Sequence, residues 1–383
     1  MVDESDFRSF FEKSKNLTAV GIGNLVANGI SSIFWLFLAT ELTKEEYGEL
    51  GFWLAIIGMI GAFALLGSNN TLTVYVAKGV KIQPTIFFIT LIAGIIASIS
   101  LLVFSENIFV SFYPLAYVIF SVIIFDLLGR KAFVNYAKYM IIQRVIMIVF
   151  SLTLLQIFGI NGIILGYTFS LAIFGILIFK GFREGEINFK LLKDRKNFVV
   201  NSYATHVLEV ININIDKIII FPVFGALILG PYQLGFQIFA LSMILPKIVT
   251  QYTLPHDASG TKNNKLKTYT VISSTIITVL TVILAPIVLP ELFPKYNEVI
   301  QVIQIMAIAI IPASLTLIIT SEFLGNEKSR KVSLSSIVSM TSLSIGIIVL
   351  GEYYGLIGMS ISLVIAKSLQ CAILLILRYK KII

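Results

Sequence analysis

The sequence predicts an all-α polytopic membrane protein of about twelve transmembrane helices, and three observations predict it. Hydrophobic residues make up 57% of the chain and charged ones only 13%, with a mean hydropathy of +0.92. That is too apolar for a soluble domain of 383 residues. The apolar residues fall in runs of about twenty, the length that crosses a hydrocarbon core of roughly 30 Å as a helix. The basic residues avoid those runs and gather in alternate loops, as membrane topology requires.

The first stretch, 17–40, follows a charged segment, MVDESDFRSFFEKSKN, that has neither the short apolar core nor the small-residue cleavage site of a secretory signal. It is therefore expected to be a retained span. The second, 48–76, is long and contains Gly67, Asn69 and Asn70, which predicts a kink or a short helical extension at the membrane surface. Stretches 84–104, 108–128, 139–158 and 160–180 complete a first set of six. A second set follows at 198–224, 231–254, 268–289, 297–321, 332–350 and 354–377, with Pro255, Pro290 and Pro294 marking span ends. The expected organisation is a cytoplasmic segment 1–16, a six-helix bundle 17–181, a basic linker 182–197, a second bundle 198–377 and a tail 378–383.

Twelve spans put both termini on one side. Loops and ends on that side carry 23 Lys or Arg, and the other six loops carry only Lys44 and Lys295. The positive-inside rule then places both termini in the cytoplasm and the protein, multi-pass, in the cell membrane. The same asymmetry accounts for the net charge of +8 without nucleic acid, because basic loops face anionic headgroups.

An internal repeat is visible. ELGFWLAIIGMI (49–60) matches QLGFQIFALSMI (233–244) at an offset of 184, with five of twelve positions identical. FGINGIILG (158–166) matches YGLIGMSIS (354–362) at an offset of 196, which also pairs Leu128-Gly129 with Leu324-Gly325. Two six-helix halves in the same orientation imply a pseudo-two-fold axis along the membrane normal, and transporters bind substrate between such halves.

Enzyme signatures are absent, so no catalytic activity and no cofactor are expected. GTKNNK (260–265) lacks the upstream glycine and the Lys-Ser/Thr pair of a phosphate-binding loop. Cys371 is the sole cysteine, and two histidines far apart suggest no metal cluster.

Chemistry concentrates on the seventh stretch, NSYATHVLEVININIDKIII. At 100° per residue, Ser202, Thr205, His206, Glu209, Asn212, Asp216 and Lys217 share one sector, and only Asn214 lies well off it. An ionisable group at a helix centre costs roughly 2.5–3.5 kcal/mol, so this face is expected to look into protein or a wet cavity. Glu209, with His206, is a candidate proton or cation site, and Asp216 a further coupling candidate; a carboxylate satisfied by a neighbouring helix is the plainer alternative. Asp216 and Lys217 can simply pair. Asn24 and Asn28 form a corresponding stripe on the first span, suited to sugar hydroxyls or phosphate oxygens or, equally, to gluing helices. Lys367 lies too deep to snorkel, and Lys247 follows Pro246, where a bend would turn it to the cavity. Arg144 and Lys217 are secondary cationic candidates, and Arg144 is expected to snorkel to the interface.

Three segments carry a family resemblance: EYGELGFWLAIIGMIGAFALLGSNNTL (46–72), INIDKIIIFPVFGALILGPYQLGF (213–236) and YGLIGMSISLVIAKSL (354–369). In their order and spacing the chain resembles the Wzx-type polysaccharide or oligosaccharide flippases. Their superfamily, MOP, also contains the MATE multidrug exporters and the lipid II flippase MurJ. The resemblance implies two six-helix bundles around a central cavity and transport of a lipid-linked, diphosphate-bearing sugar by alternating access, for glycan export. The chain departs from the family in its short length and in having no basic residue in spans one and two, where MurJ-like members place arginines. The expected partners are membrane lipids, the lipid-linked sugar and, functionally, glycan-synthesis enzymes, with the protein a monomer. The alternative is a MATE-like exporter of small organic molecules coupled to H+ or Na+, with Glu209 and Asp216 carrying the coupling.

Overall fold

The computed structural model describes residues 4–258, 264–326 and 328–379. Lys262, Lys380 and Lys381, counted above among the basic loop residues, lie outside the described residues, as does most of the GTKNNK segment. Among the described residues the regular structure is entirely helical. In a bilayer the helix satisfies every backbone group within one segment, which is why apolar runs of this length adopt it.

Among the described residues nine helices are long and apolar enough to cross a membrane. One of them, Ser329–Tyr379, has 51 residues, which at helical rise would be about 75 Å, more than twice the hydrocarbon thickness. It breaks at Gly355 (φ 55, ψ −135) into two spans. An eleventh crossing is the pair Ala226–Ser242 and Ile244–Thr250, bent by 42°. Pro246 explains the bend: it has no N–H to give the carbonyl of Ser242. The last is Lys196–Phe224, 29 residues long, whose polar stripe keeps it out of the apolar class. Twelve crossings result among the described residues. The second span stops at Ala64, and Leu66 and Gly67 take positive φ before a short helix Ser68–Ala77, so the expected break occurs at the Gly67 position.

Internal geometry reproduces the repeat. Gly159 (φ 58, ψ −141) and Gly355 (φ 55, ψ −135) share an unusual backbone conformation at the 196-residue offset. Three residues on, a Cβ on Gly162 would collide with the carbonyl of Leu154, and one on Gly358 with that of Leu350. Both pairs obey the same offset, so each half uses one glycine to turn the chain and another to let the two helices close. Asp126 and Glu322 are also 196 apart. Asp126 accepts from Arg130 at 2.7 Å, and Arg130 also binds Glu184 at 2.9 Å; Glu322 pairs with Lys267 and Arg378, each at 3.1 Å.

Contacts divide the chain into two compact units, Met1–Ser31 with Trp53–Val210 and Ser32–Phe52 with Ile211–Ile383. The first, second and seventh helices therefore each contribute to both. Close backbone approaches at glycines occur within each unit. In the second unit a Cβ on Gly48 would strike the carbonyl of Ala226, and one on Gly230 the carbonyl of Lys44, so the start of span two lies directly on the start of span eight. In the first unit a Cβ on Gly67 would come within 2.9 Å of the Tyr203 nitrogen, which seats the beginning of the seventh helix on the break in span two.

Candidate functional site

The polar stripe of the seventh helix is shared between the units. Ser202, Thr205, His206 and Glu209 belong to the first; Asn212, Asp216 and Lys217 belong to the second. In the first unit Ser202 is buried and its hydroxyl donates to the Gly67 carbonyl at 3.2 Å, fixing the helix on that break. Thr205 bonds its own helix at Asn201. His206 is half-buried, and its Nε2 atom is buried without a hydrogen-bond partner among the described residues. Glu209 is exposed. A carboxylate exposed at this depth needs water or a ligand, since lipid would not hold it.

Asn24 is also in the first unit, where its Oδ1 accepts from the Tyr136 hydroxyl at 2.8 Å. One residue earlier, a Cβ on Gly23 would meet Ala137 at 2.6 Å, so spans one and five touch here and Asn24 joins them. This bond joins two helices, one of the two uses expected for that amide. Asn28, one turn on, is exposed.

In the second unit Asp216 is 1% exposed and both carboxylate oxygens are occupied. Oδ1 accepts from the Lys217 backbone N–H at 2.9 Å and from Lys217 Nζ at 3.1 Å, and Oδ2 accepts from the Tyr232 hydroxyl at 3.1 Å. Lys217 Nζ also donates to the Ile213 carbonyl and stands 4.1 Å from the Phe236 ring centre. A buried ion pair is tolerable only when its remaining valences are met, and Tyr232 and Phe236 meet them. Both aromatic residues come from the LILGPYQLGF segment, whose Tyr232 matches the equally buried Tyr47 of the first half at an offset of 185. That match was the available signal for Tyr232; its role toward Asp216 was not read from it.

Lys367 is half-buried and lies within electrostatic range of both Asp216 and Lys247. Lys247 itself is exposed, just past the bend at Pro246. Among the described residues neither ammonium group makes an ion pair. A neutral seam accompanies them: Asn212 donates to the Ser336 carbonyl at 3.4 Å and Gln370 to the Ser336 hydroxyl at 3.3 Å. Ser336 was not among the expected site residues.

Arg144 departs from expectation. Its Nη1 donates to the Tyr167 hydroxyl at 3.0 Å, so the side chain turns into a neighbouring helix and does not snorkel to the interface. Local aromatic partners outcompete the long reach to water. Among the described residues no three His, Cys, Asp or Glu side chains converge as a metal site would require.

No protein-family profile matches the chain, and no curated protein matches its sequence. Solved structures match its shape. An inward-facing multidrug resistance MATE family transporter of the MOP superfamily superposes with a TM-score of 0.72 at 14% identity, covering 94% of this chain and 96% of that one. The chain has the MATE fold. An outward-facing structure of such a MATE transporter gives 0.68 at 13% identity, covering 94% and 93%. The lipid II flippase MurJ in an inward closed conformation gives 0.59 at 16%, covering 97% and 87%. The MATE fold is thus present over nearly the whole chain, while the residues it carries are largely its own. Asp216 locked between Lys217 and Tyr232, with Lys367 in electrostatic range, is the chemistry this chain places on it.

Proposed function

We propose that this protein is a membrane transporter that flips lipid-linked, diphosphate-bearing oligosaccharides across the cell membrane by alternating access, with both termini in the cytoplasm. One observation carries the choice of substrate: in the second unit the buried carboxylate is already neutralised by its own lysine, which leaves Lys247 and Lys367 as surplus cations at intramembrane depth. Surplus positive charge in a low-dielectric setting favours an anionic headgroup and opposes an organic cation. In the same unit Asn212 and the Ser336-Gln370 seam supply neutral donors and acceptors of the kind sugar hydroxyls need. Glu209 and His206 would carry any coupling to H+ or Na+.

The deciding assay is headgroup accessibility of a polyprenyl-diphosphate-linked sugar in reconstituted vesicles. Replacing Lys367 or Lys247 by Gln is expected to slow flipping by roughly ten- to a hundredfold, the value of a lost charge-assisted hydrogen bond, with Lys→Arg retaining most of the rate. A second reading, a cation-coupled exporter of small organic molecules, draws on the exposed carboxylate of Glu209. It would replace the first if no lipid-linked sugar moved while Glu209→Gln abolished proton-coupled efflux of an organic cation.

A further inference from the structure

Arg144 stands about 16 Å along the helix Phe133–Phe158 from its first residue, near the middle of a span. Three tyrosines surround it in the first unit, and no carboxylate does among the described residues. Nη1 donates to the Tyr167 hydroxyl at 3.0 Å, and the guanidinium carbon lies 5.8 Å from the centre of the same ring. Tyr113 meets Tyr167 edge-on with centroids 5.2 Å apart and packs against Tyr117 at 6.0 Å. Tyr117 is held from behind by span two, where a Cβ on Gly61 would come within 2.8 Å of its ring. The neighbouring amide of Gln143 is committed to Ser170 at 2.8 Å and does not take part.

Two features of this cluster are incomplete. Arg144 Nε is buried and has no hydrogen-bond partner among the described residues. Its charge also has no counter-charge, because neutral tyrosines orient and solvate a guanidinium without neutralising it. Arg144, Tyr117 and Tyr167 nevertheless keep part of their side chains accessible, so the cluster can be reached.

We propose that Arg144, with the hydroxyls of Tyr167 and Tyr117, forms an oxyanion-binding site within the membrane-spanning part of the first unit, fitted to a phosphate group. The planar guanidinium fork matches two oxygens of a phosphate, which a lysine at this position would not. Tyr167 accepts from Arg144 and keeps its own O–H to donate onward. The missing anion supplies what the unpartnered Nε–H and the uncompensated charge lack. The site lies in a different unit from the lysines on which the flippase reading rests and stands whether or not that reading does.

The test is titration of inorganic pyrophosphate into the full-length protein in zwitterionic nanodiscs, followed by tyrosine fluorescence. A Lys247→Gln, Lys367→Gln background removes the two other intramembrane cations without an ion-pair partner among the described residues, and the difference that Arg144→Gln makes within it reports Arg144. Arg144→Gln is expected to weaken binding by roughly ten- to a hundredfold. Tyr167→Phe, which removes one hydroxyl and keeps the ring, is expected to weaken it several-fold, so the site is tested even if the arginine variant does not fold. A parallel arm with nanodiscs containing polyprenyl diphosphate separates the sources. Competition with pyrophosphate identifies a lipid headgroup, and its absence a free phosphate. The proposal is overturned if pyrophosphate does not bind the background protein, or binds equally well to a folded Arg144→Gln variant. It is also overturned if an ultraviolet tyrosinate band at neutral pH shows that a deprotonated tyrosine already supplies the counter-charge.

Discussion

At the scale of the residue, what matters is which charges are already matched. Asp216 and Lys217 are adjacent, 1% and 6% exposed, and held with Tyr232 in one closed network. Removing one member leaves the other as a buried, unpaired charge, which typically costs about 3–5 kcal/mol. Asp216→Asn is therefore expected to lower thermal stability in detergent sharply, whereas Asp216→Asn with Lys217→Met should recover much of the loss. Equal damage from the single and double changes would show that the pair is not coupled. The stripe bearing these residues was legible from helical periodicity alone. Their partners were not: Tyr232 lies sixteen residues away across a turn, and the tyrosines around Arg144 come from two other spans. No local pattern records which helices become neighbours.

At the scale of the element, glycines decide where helices turn and where they touch. Gly159 and Gly355 hold the same positive-φ conformation at corresponding points of the two halves, and a side chain in that region costs on the order of 1–3 kcal/mol. Alanine at either position should lower stability by similar amounts in a thermal unfolding assay. Gly175→Ala is the control, since the atom facing an added Cβ there is 3.8 Å away, ordinary contact distance. Clearly unequal losses at 159 and 355 would count against their equivalence. The repeat itself was readable as FGINGIILG and YGLIGMSIS. That its first glycine turns the chain and its second admits a carbonyl emerged only from the backbone. Span seven shows the converse. Its length was readable, but Ser202 on the Gly67 break and the change of unit at Val210 depend on packing with a helix more than a hundred residues away.

At the scale of the whole molecule, charge and hydropathy set the topology. Lys44 and Lys295, the two basic residues of the loops opposite the termini, are both engaged in the second unit. Lys44 pairs with Glu298 at 2.5 Å, and Lys295 donates to the Thr40 carbonyl at 3.0 Å. Beside them, burial pushes the Tyr296 hydroxyl up to about 12, with Glu298 adding to the rise, so it stays neutral under Lys44 at any ordinary pH. Orientation can be checked with single cysteines in a Cys371→Ser background. Cysteine at Glu106 or Glu291 is expected to react with an impermeant maleimide on intact cells, and cysteine at Glu186 or Lys328 only after permeabilisation. The reverse pattern would invert the assignment. By itself the sequence determined the class, the number of spans, the repeat and the positions of the intramembrane charges. Each of these follows from composition or from a period along one chain. Only the tertiary structure decided that Asp216 is closed by Tyr232, that Arg144 turns to tyrosines instead of the surface, and that Asn24 accepts from Tyr136. Those outcomes depend on which helix faces come within hydrogen-bond distance, and that is settled by close packing between distant segments.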